Sequence, residues 1–172
     1  MKTNFSHIEE RATEILKVNG LFKPNFDIKV LCRKLGITLV EKTLGEDVSG
    51  FLILTDNQRI ITINDKNHTT RQKFTIAHEI GHFIFHSKTQ PLFVDKAPKV
   101  LYRNLASSTG EDFREREANA FAASLLMPTE LMEEQIYKSP ADISKAITFL
   151  ANKFGVSENA MSFRLSNLGY GI

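Results

Sequence analysis

One helical segment constrains this chain more than any other, the stretch FTIAHEIGHFIFH from Phe74 to His86. Three of the five histidines of the chain fall within it, at His78, His82 and His86. Residues four apart on an α-helix lie about 40° apart around the axis and about 6 Å along it. His78 and His82 therefore point the same way and can bind one metal ion.

Glu79 follows the first of these histidines and lies about a further 100° around the helix, beside such an ion. Two imidazole ligands and an adjacent carboxylate form the H-E-x-x-H arrangement of zinc hydrolases. Zinc lowers the pKa of a water molecule towards about 7, and the glutamate takes its proton as it attacks a carbonyl. The pattern predicts zinc ligands at His78 and His82 and a general base at Glu79. The alternative, a cluster of structural histidines, would be costly on such an apolar helix if the rings were unpaired.

Two further residues of this helix are unusual. His86 continues the histidine face, but it lies about 12 Å along the axis from His78, too far to share one ion on a straight helix. We expect His86 to support a ligand or contact a substrate, with a plain histidine at the rim as the alternative. Gly81 should destabilise a helix interior by about 1 kcal/mol relative to alanine. Our hypothesis is that it lets a neighbouring helix approach closely.

Catalytic zinc takes a third protein ligand and keeps one position open. Cys32 is the only cysteine, and no histidine follows in a suitable register, so the third ligand should be acidic. The segment EDFREREANAFAASLLMP contains four acidic candidates, Glu111, Asp112, Glu115 and Glu117.

The helical register of this segment separates the candidates. Glu115 lies at the edge of the apolar stripe, whereas Glu117 lies about 90° from its centre and is expected to be solvated. Glu111 and Asp112 suit the first turn of the helix, where the dipole favours negative charge. Asn119, one turn after Glu115, could accept the second ring N–H of a zinc-binding histidine.

Apolar periodicity elsewhere predicts an α+β fold with a small antiparallel sheet of about three strands. The strands are the β-rich runs ITLVEK, SGFLILT and RIITIN, of which the last two should form a hairpin through Asp56-Asn57. RIITIN is the expected edge to which a substrate polypeptide could add as a strand. Helices are expected before Gly20, over 26–35, from about Asn67, Thr69 or Thr70 to Phe85, over 111–126 and from residue 139 onwards, with a long loop over 87–110.

Length and charge bound the remaining possibilities. The 172 residues predict a single domain over 1–172, with a core over 1–130 and a helical, helix-turn-helix-like part over 139–172. The last helix of that part offers a single basic residue, Arg164, and the net charge is only +2, so direct nucleic-acid binding is not expected. No apolar run approaches the roughly 20 residues that span a bilayer, and we expect a cytoplasmic protein.

The segment TIAHEIGHFIFH, followed by EREANAFAASLLMP, resembles the ImmA/IrrE family of bacterial and phage metallopeptidases. The resemblance covers most of the chain, from DIKVLCRKLGI to FGVSENAMSFRL. It implies a gluzincin-like α+β fold with a zincin-type active-site helix, and a cytoplasmic zinc endopeptidase. The register of the family places the third ligand on Glu115 and its supporting residue on Asn119. The family further implies cleavage of a helix-turn-helix repressor, which relieves transcription of a mobile element or a stress regulon.

The transition-state oxyanion needs a hydrogen-bond donor in addition to zinc. Tyr102, Arg103 and Arg114 are available, and Tyr102 is the preferred candidate. Two other classes of function stay open on the sequence. One is a DNA-binding regulator with a structural or sensory zinc ion, and the other is a non-catalytic component, such as a toxin–antitoxin protein, that binds a repressor without cutting it.

Overall fold

The computed structural model describes residues 6–87, 92–96 and 110–170. Tyr102 and Arg103 lie outside the described residues. The helices are α1 (Ser6–Val18), α2 (Ile28–Lys34), α3 (Thr69–His86), α4 (Gly110–Leu126), α5 (Thr129–Tyr137), α6 (Ile143–Phe154) and α7 (Glu158–Asn167). The strands are β1 (Thr38–Lys42), β2 (Val48–Leu54), β3 (Arg59–Asn64) and β4 (Leu92–Lys96). The predicted α+β class is confirmed.

The sheet contains the expected hairpin and differs from the prediction in its pairing. Its order is β1-β3-β2-β4, and β2 and β3 are antiparallel, with Ile53 opposite Ile60. However, β1 pairs parallel with β3, so the sheet is mixed and not purely antiparallel. A fourth strand, β4, pairs antiparallel with β2 inside the segment that was predicted to be loop. The prediction that RIITIN forms an edge is wrong, because β3 lies between two neighbours.

Asn64, at the end of β3, explains why β1 does not pair with the strand that follows it. Its buried side chain donates to the carbonyl of Val48 at 3.0 Å and accepts from the amide of Leu44 at 3.4 Å. These bonds fix the connection between β1 and β2 at the end of β3. The connection therefore crosses the end of β3. As a result β1 and β2 lie on opposite sides of β3, and β1 runs parallel to β3.

Helix α3 packs against β2 and β3, and a glycine permits the close contact. A Cβ atom at Gly50 would lie 2.6 Å from Cγ2 of Thr75 and 2.7 Å from the carbonyl oxygen of Thr62. Since real Cβ atoms do not approach so closely, only glycine fits on β2 opposite this turn of the helix. The inner face of α3 is consequently held directly against the sheet.

The chain forms two compact units, of which one is Ile28–Ala122 and the other joins the segments before and after it. The first unit contains the sheet, α2, α3 and most of α4. Its buried apolar residues include Leu31, Leu52, Ile61, Ile63, Ile76, Ile80, Ala118 and Phe121. The proposed division into a core over 1–130 and a C-terminal part over 139–172 stays a prediction.

The second unit is helical and includes α5, which lies between the two helical regions that the sequence predicts. Arg164 of α7 is buried, donates to Oε2 of Glu9 on α1 at 2.6 Å, and donates to the carbonyl oxygen of Met127 at 3.0 Å. The basic residue that was considered for DNA contact is therefore engaged with groups of the protein itself. Among the described residues, no helix combines the length and the apolarity of a membrane-crossing segment.

Candidate metal centre

Helix α3 carries the three residues of the H-E-x-x-H pattern on its buried side. His78, Glu79 and His82 are each at most 3% exposed. The helix begins after His68, whose side chain accepts from the amide of Thr70, so the expected caps at Asn67, Thr69 or Thr70 are replaced by a histidine. Burial of the whole pattern between the sheet and the next helix fixes the side chains in place.

The two ligand candidates on α3 meet a carboxylate from α4. The Nε2 atoms of His78 and His82 lie 3.0 Å apart. Glu115 places Oε2 at 3.3 Å from Nε2 of His78 and Oε1 at 3.2 Å from Nε2 of His82. The structure thus brings together the three residues for which the sequence predicted a metal-binding role. One donor atom from each lies within 4.8 Å of the others.

These distances can be tested against the requirements of zinc. Tetrahedral zinc with nitrogen and oxygen ligands at about 2.0–2.1 Å has ligand atoms about 3.3 Å apart. The observed separations of 3.0, 3.2 and 3.3 Å match that spacing. Two imidazoles and one carboxylate are also the donor set of catalytic zinc sites that keep a fourth position open. The residues present therefore fit the metal that the sequence pattern implies.

Asn119 lies beside the histidine that it was expected to support. Its Oδ1 atom lies 3.0 Å from Nδ1 of His78. An amide oxygen only accepts, so Nδ1 of His78 must carry the proton, and Nε2 keeps its lone pair towards Glu115 and His82. One turn of α4 thereby supplies both the carboxylate of Glu115 and the oxygen that sets the tautomer of His78.

His86 and Glu117 lie on the far side of His82. The Nδ1 atom of His86 lies 3.0 Å from Nδ1 of His82, and its Nε2 atom lies 3.1 Å from Oε2 of Glu117. The Glu117 side chain is only 14% exposed, so the expectation that it is solvated is wrong. His86, expected as a supporting residue or a rim histidine, is buried and contacts a ligand candidate.

Gly81 explains how α4 comes so near to α3. A Cβ atom at Gly81 would lie 3.1 Å from Cα of Ala118 and 3.2 Å from Cδ1 of Phe121. The predicted close approach of a neighbouring helix is confirmed. Because the two backbones nearly touch here, side chains on both flanks of the contact reach α3. Glu115 does so on one flank and Glu117 on the other. A helical wheel of α4 alone does not show this, because it contains no information on how α4 packs against α3.

The charge states of the cluster suit a cation. Burial lowers the pKa of His82, as do the neighbouring histidines, and Glu115 opposes this only in part. Burial works to raise the pKa of Glu115, but the adjacent imidazoles of His78 and His82 outweigh it and hold that pKa far below its usual value. At neutral pH His82 is therefore neutral and Glu115 ionised, which are the forms that bind a metal ion.

The other candidates contribute no described contact to this cluster. Tyr102, the preferred oxyanion donor, and Arg103 lie outside the described residues. The side chains of Glu111 and Asp112 are not described either, so their assignment to the helix dipole stays a prediction.

Comparison with known proteins identifies the family to which the chain belongs. A sequence profile of the IrrE N-terminal-like domain, a peptidase family, matches residues 32–166. The chain belongs to this family, and its resemblance to the ImmA/IrrE proteins is confirmed.

Two named relatives align with almost the whole chain. The radiation response metalloprotease IrrE of Deinococcus deserti is 27% identical over 165 residues, which are 95% of this chain and 55% of that protein. The metallopeptidase ImmA of Bacillus subtilis is 24% identical over 164 residues, or 94% of this chain and 86% of that protein.

A solved structure has the same fold. A transcriptional regulator of Mycobacterium tuberculosis superposes with a TM-score of 0.66 at 17% identity, over 93% of this chain and 47% of the regulator. At that identity the likeness concerns the fold alone. The chain spans about half the length of both this regulator and the Deinococcus protease.

Proposed function

We propose that this chain is a zinc-dependent endopeptidase that hydrolyses a peptide bond in a partner protein. The observation that carries the proposal is the convergence of two histidine nitrogens and a glutamate carboxylate on one point between α3 and α4. In this proposal His78, His82 and Glu115 hold the ion. Membership of a peptidase family supports the same reading.

The proposed chemistry assigns each side chain a separate task. When bound, zinc would supply Lewis acidity, polarising the scissile carbonyl and lowering the pKa of the attacking water. Glu79 is the general base: its carboxylate accepts the proton of that water and delivers it to the leaving amide nitrogen. Asn119 keeps Nε2 of His78 free to bind the ion, through its contact with Nδ1 at 3.0 Å. Tyr102 is proposed to donate a hydrogen bond to the oxyanion.

The proposed substrate is a helix-turn-helix transcriptional repressor in the cytoplasm, whose cleavage would derepress a mobile-element or stress-response operon. The resemblance to the ImmA/IrrE family carries this part of the proposal. A relative described as a radiation response metalloprotease supports a role in a stress response. The proposed repressor is one encoded beside the gene for this chain, since a regulator and its protease would then be produced together.

The test is a cleavage assay with that neighbouring repressor as the probe. The protein is stripped of metal with a chelator, and one portion is reloaded with one equivalent of zinc. We expect repressor fragments, identified by mass spectrometry, only in the reloaded sample. Circular dichroism of the stripped protein controls for loss of the fold.

The same assay separates the other classes of function. Repressor that is bound but left intact by the zinc-loaded protein would indicate a non-catalytic binding component and overturn the proposal. A salt-dependent mobility shift with duplex DNA, without any fragments, would indicate a DNA-binding regulator. Arg164, the single basic residue of α7, is already engaged with Glu9, which weighs against that second outcome.

A further inference from the structure

We propose that Glu117 and His86 form a positioning pair that fixes the tautomer of His82, so that its Nε2 atom faces the metal with a free lone pair. The pair is defined by the contact of Glu117 with His86 and by that of His86 with His82. The inference rests on the proposed function in one respect only: it takes His82 to be a zinc ligand. It does not require that a peptide is cleaved.

The three side chains form a continuous hydrogen-bonded chain that ends at the metal-binding cluster. Oε2 of Glu117 lies 3.1 Å from Nε2 of His86, and Nδ1 of His86 lies 3.0 Å from Nδ1 of His82. Nε2 of His82 then lies 3.2 Å from Oε1 of Glu115. Both ring nitrogens of His86 are engaged in this chain, so His86 has none left over to bind the ion itself.

The positions of the protons follow from the carboxylate end. An ionised carboxylate only accepts, so Nε2 of His86 carries a proton and donates it to Glu117. In a neutral ring the other nitrogen, Nδ1 of His86, is then an acceptor. It must be met by a proton on Nδ1 of His82, which leaves Nε2 of His82 unprotonated. The charge on Glu117 thus specifies which nitrogen of His82 is available to a metal.

Burial strengthens the control that Glu117 and His86 have over the tautomer of His82. The side chains of His82, His86 and Glu117 are 2%, 5% and 14% exposed, so water competes little for their hydrogen bonds. In such surroundings a proton on Nε2 of His82 would leave two unprotonated nitrogens, Nδ1 of His82 and Nδ1 of His86, facing each other as acceptors without a hydrogen bond, which is unfavourable in a buried site. The two ligand histidines are consequently oriented by different devices. An amide oxygen orients His78, and a carboxylate acting through a second imidazole orients His82.

The experiment measures zinc affinity by competition with a chromophoric chelator at pH 7.5. His86→Ala removes the acceptor for Nδ1 of His82 and should weaken zinc binding by about 10–100-fold, the usual effect of losing such a partner. His86→Asn places an amide oxygen near the position of the lost Nδ1 atom and should recover affinity to within about threefold of wild type. Thermal unfolding of the variants, measured after a chelator has removed the metal, verifies that each one folds.

Glu117→Gln completes the test, because it removes the charge while it keeps the shape. The new amide can donate to His86 as readily as accept, so the tautomer of His86 is no longer fixed. We expect zinc affinity to fall by about 3–10-fold in the wild-type background and by less than about twofold in the His86→Asn background. A role of Glu117 in packing alone would give the same loss in both backgrounds.

Nitrogen-15 spectra of the histidine rings provide a readout that packing does not affect. We expect Nδ1 of His82 to be protonated in the wild-type protein and Glu117→Gln to give a mixture of tautomers. Zinc affinity of folded His86→Ala within about twofold of wild type would overturn the proposal. If the wild type binds zinc with the expected differences among variants but cleaves nothing, the positioning pair stands and the proposed function fails. A wild type that binds no zinc would overturn both.

Discussion

Oδ1 of Asn119 on α4 lies 3.0 Å from Nδ1 of His78 on α3. Glu115, one turn earlier on α4, lies within 3.3 Å of Nε2 of the same ring. Both nitrogens of His78 are therefore held by a single turn of the neighbouring helix. This relationship makes the metal-binding geometry depend on how closely α3 and α4 pack.

Asn119→Ala should weaken zinc binding by about tenfold, the lower end of the range for a residue that supports a ligand. The lower end applies because Asn119 is exposed, so a water molecule can partly replace its oxygen. Chelator competition measures the change. The matched control is Asn159→Ala on the exposed surface of α7, which should bind zinc as the wild type does.

Gly81→Leu should force α3 and α4 apart, because a Cβ atom at this position already lies 3.1 Å from Cα of Ala118. Backbone atoms cannot move aside as the end of a flexible side chain can. We expect a loss of about 1–3 kcal/mol in the free energy of unfolding, as for overpacked cores, together with weaker zinc binding. Urea denaturation and zinc titration measure the two effects.

The control for this substitution is Gly45→Ala, since no atom lies within 4 Å of a Cβ atom there. It should leave the zinc affinity unchanged. Full zinc content and unaltered stability in Gly81→Leu would show that the close contact of the two helices is dispensable.

The buried ion pair of the helical unit should make stability depend on pH. Burial works to raise the pKa of Glu9, but the charge of Arg164 and hydrogen bonds outweigh it, so the folded pKa is lowered. A lowered pKa stabilises the folded state above the unfolded value of about 4.5, and this stabilisation is lost as pH falls through the folded value. We expect Glu9→Gln to cost about 3 kcal/mol at pH 7 and progressively less below pH 4.5.

Urea unfolding of both proteins between pH 7 and pH 3 measures this difference. Glu14→Gln on the same helix is the matched control, because its partner Arg11 is exposed and such pairs contribute about 0–1 kcal/mol. A Glu9→Gln difference that stays constant from pH 7 to pH 3 would contradict the role assigned to the ion pair.

Local periodicity predicted the part of the cluster that lies on one helix. The shared direction of His78 and His82 follows from a separation of four residues, and the stripe of α4 brought Glu115 to its edge. The contact of Glu117 with His86 could not be predicted in this way, because it depends on how closely α4 packs against α3. Gly81 was the available signal, because a glycine inside a buried helix indicates that a second backbone comes near.

The sheet illustrates the same limit. The hairpin of β2 and β3 follows from two β-rich runs joined by Asp56-Asn57, which is local information. The parallel pairing of β1 with β3 depends on the contacts of Asn64 with the loop between β1 and β2, about twenty residues away in sequence. The strand β4 pairs with a segment about forty residues earlier, and its short sequence carries little alternation of its own.

Replacement of the proposed general base tests the central claim most directly. Zinc content and cleavage of the neighbouring repressor should be measured together for the wild type, Glu79→Gln and Glu133→Gln, the last being a control on the exposed surface of α5. We predict one zinc ion per chain in all three proteins and a loss of cleavage of about 10²–10⁴-fold in Glu79→Gln alone. Cleavage by zinc-loaded Glu79→Gln at the wild-type rate would contradict the account.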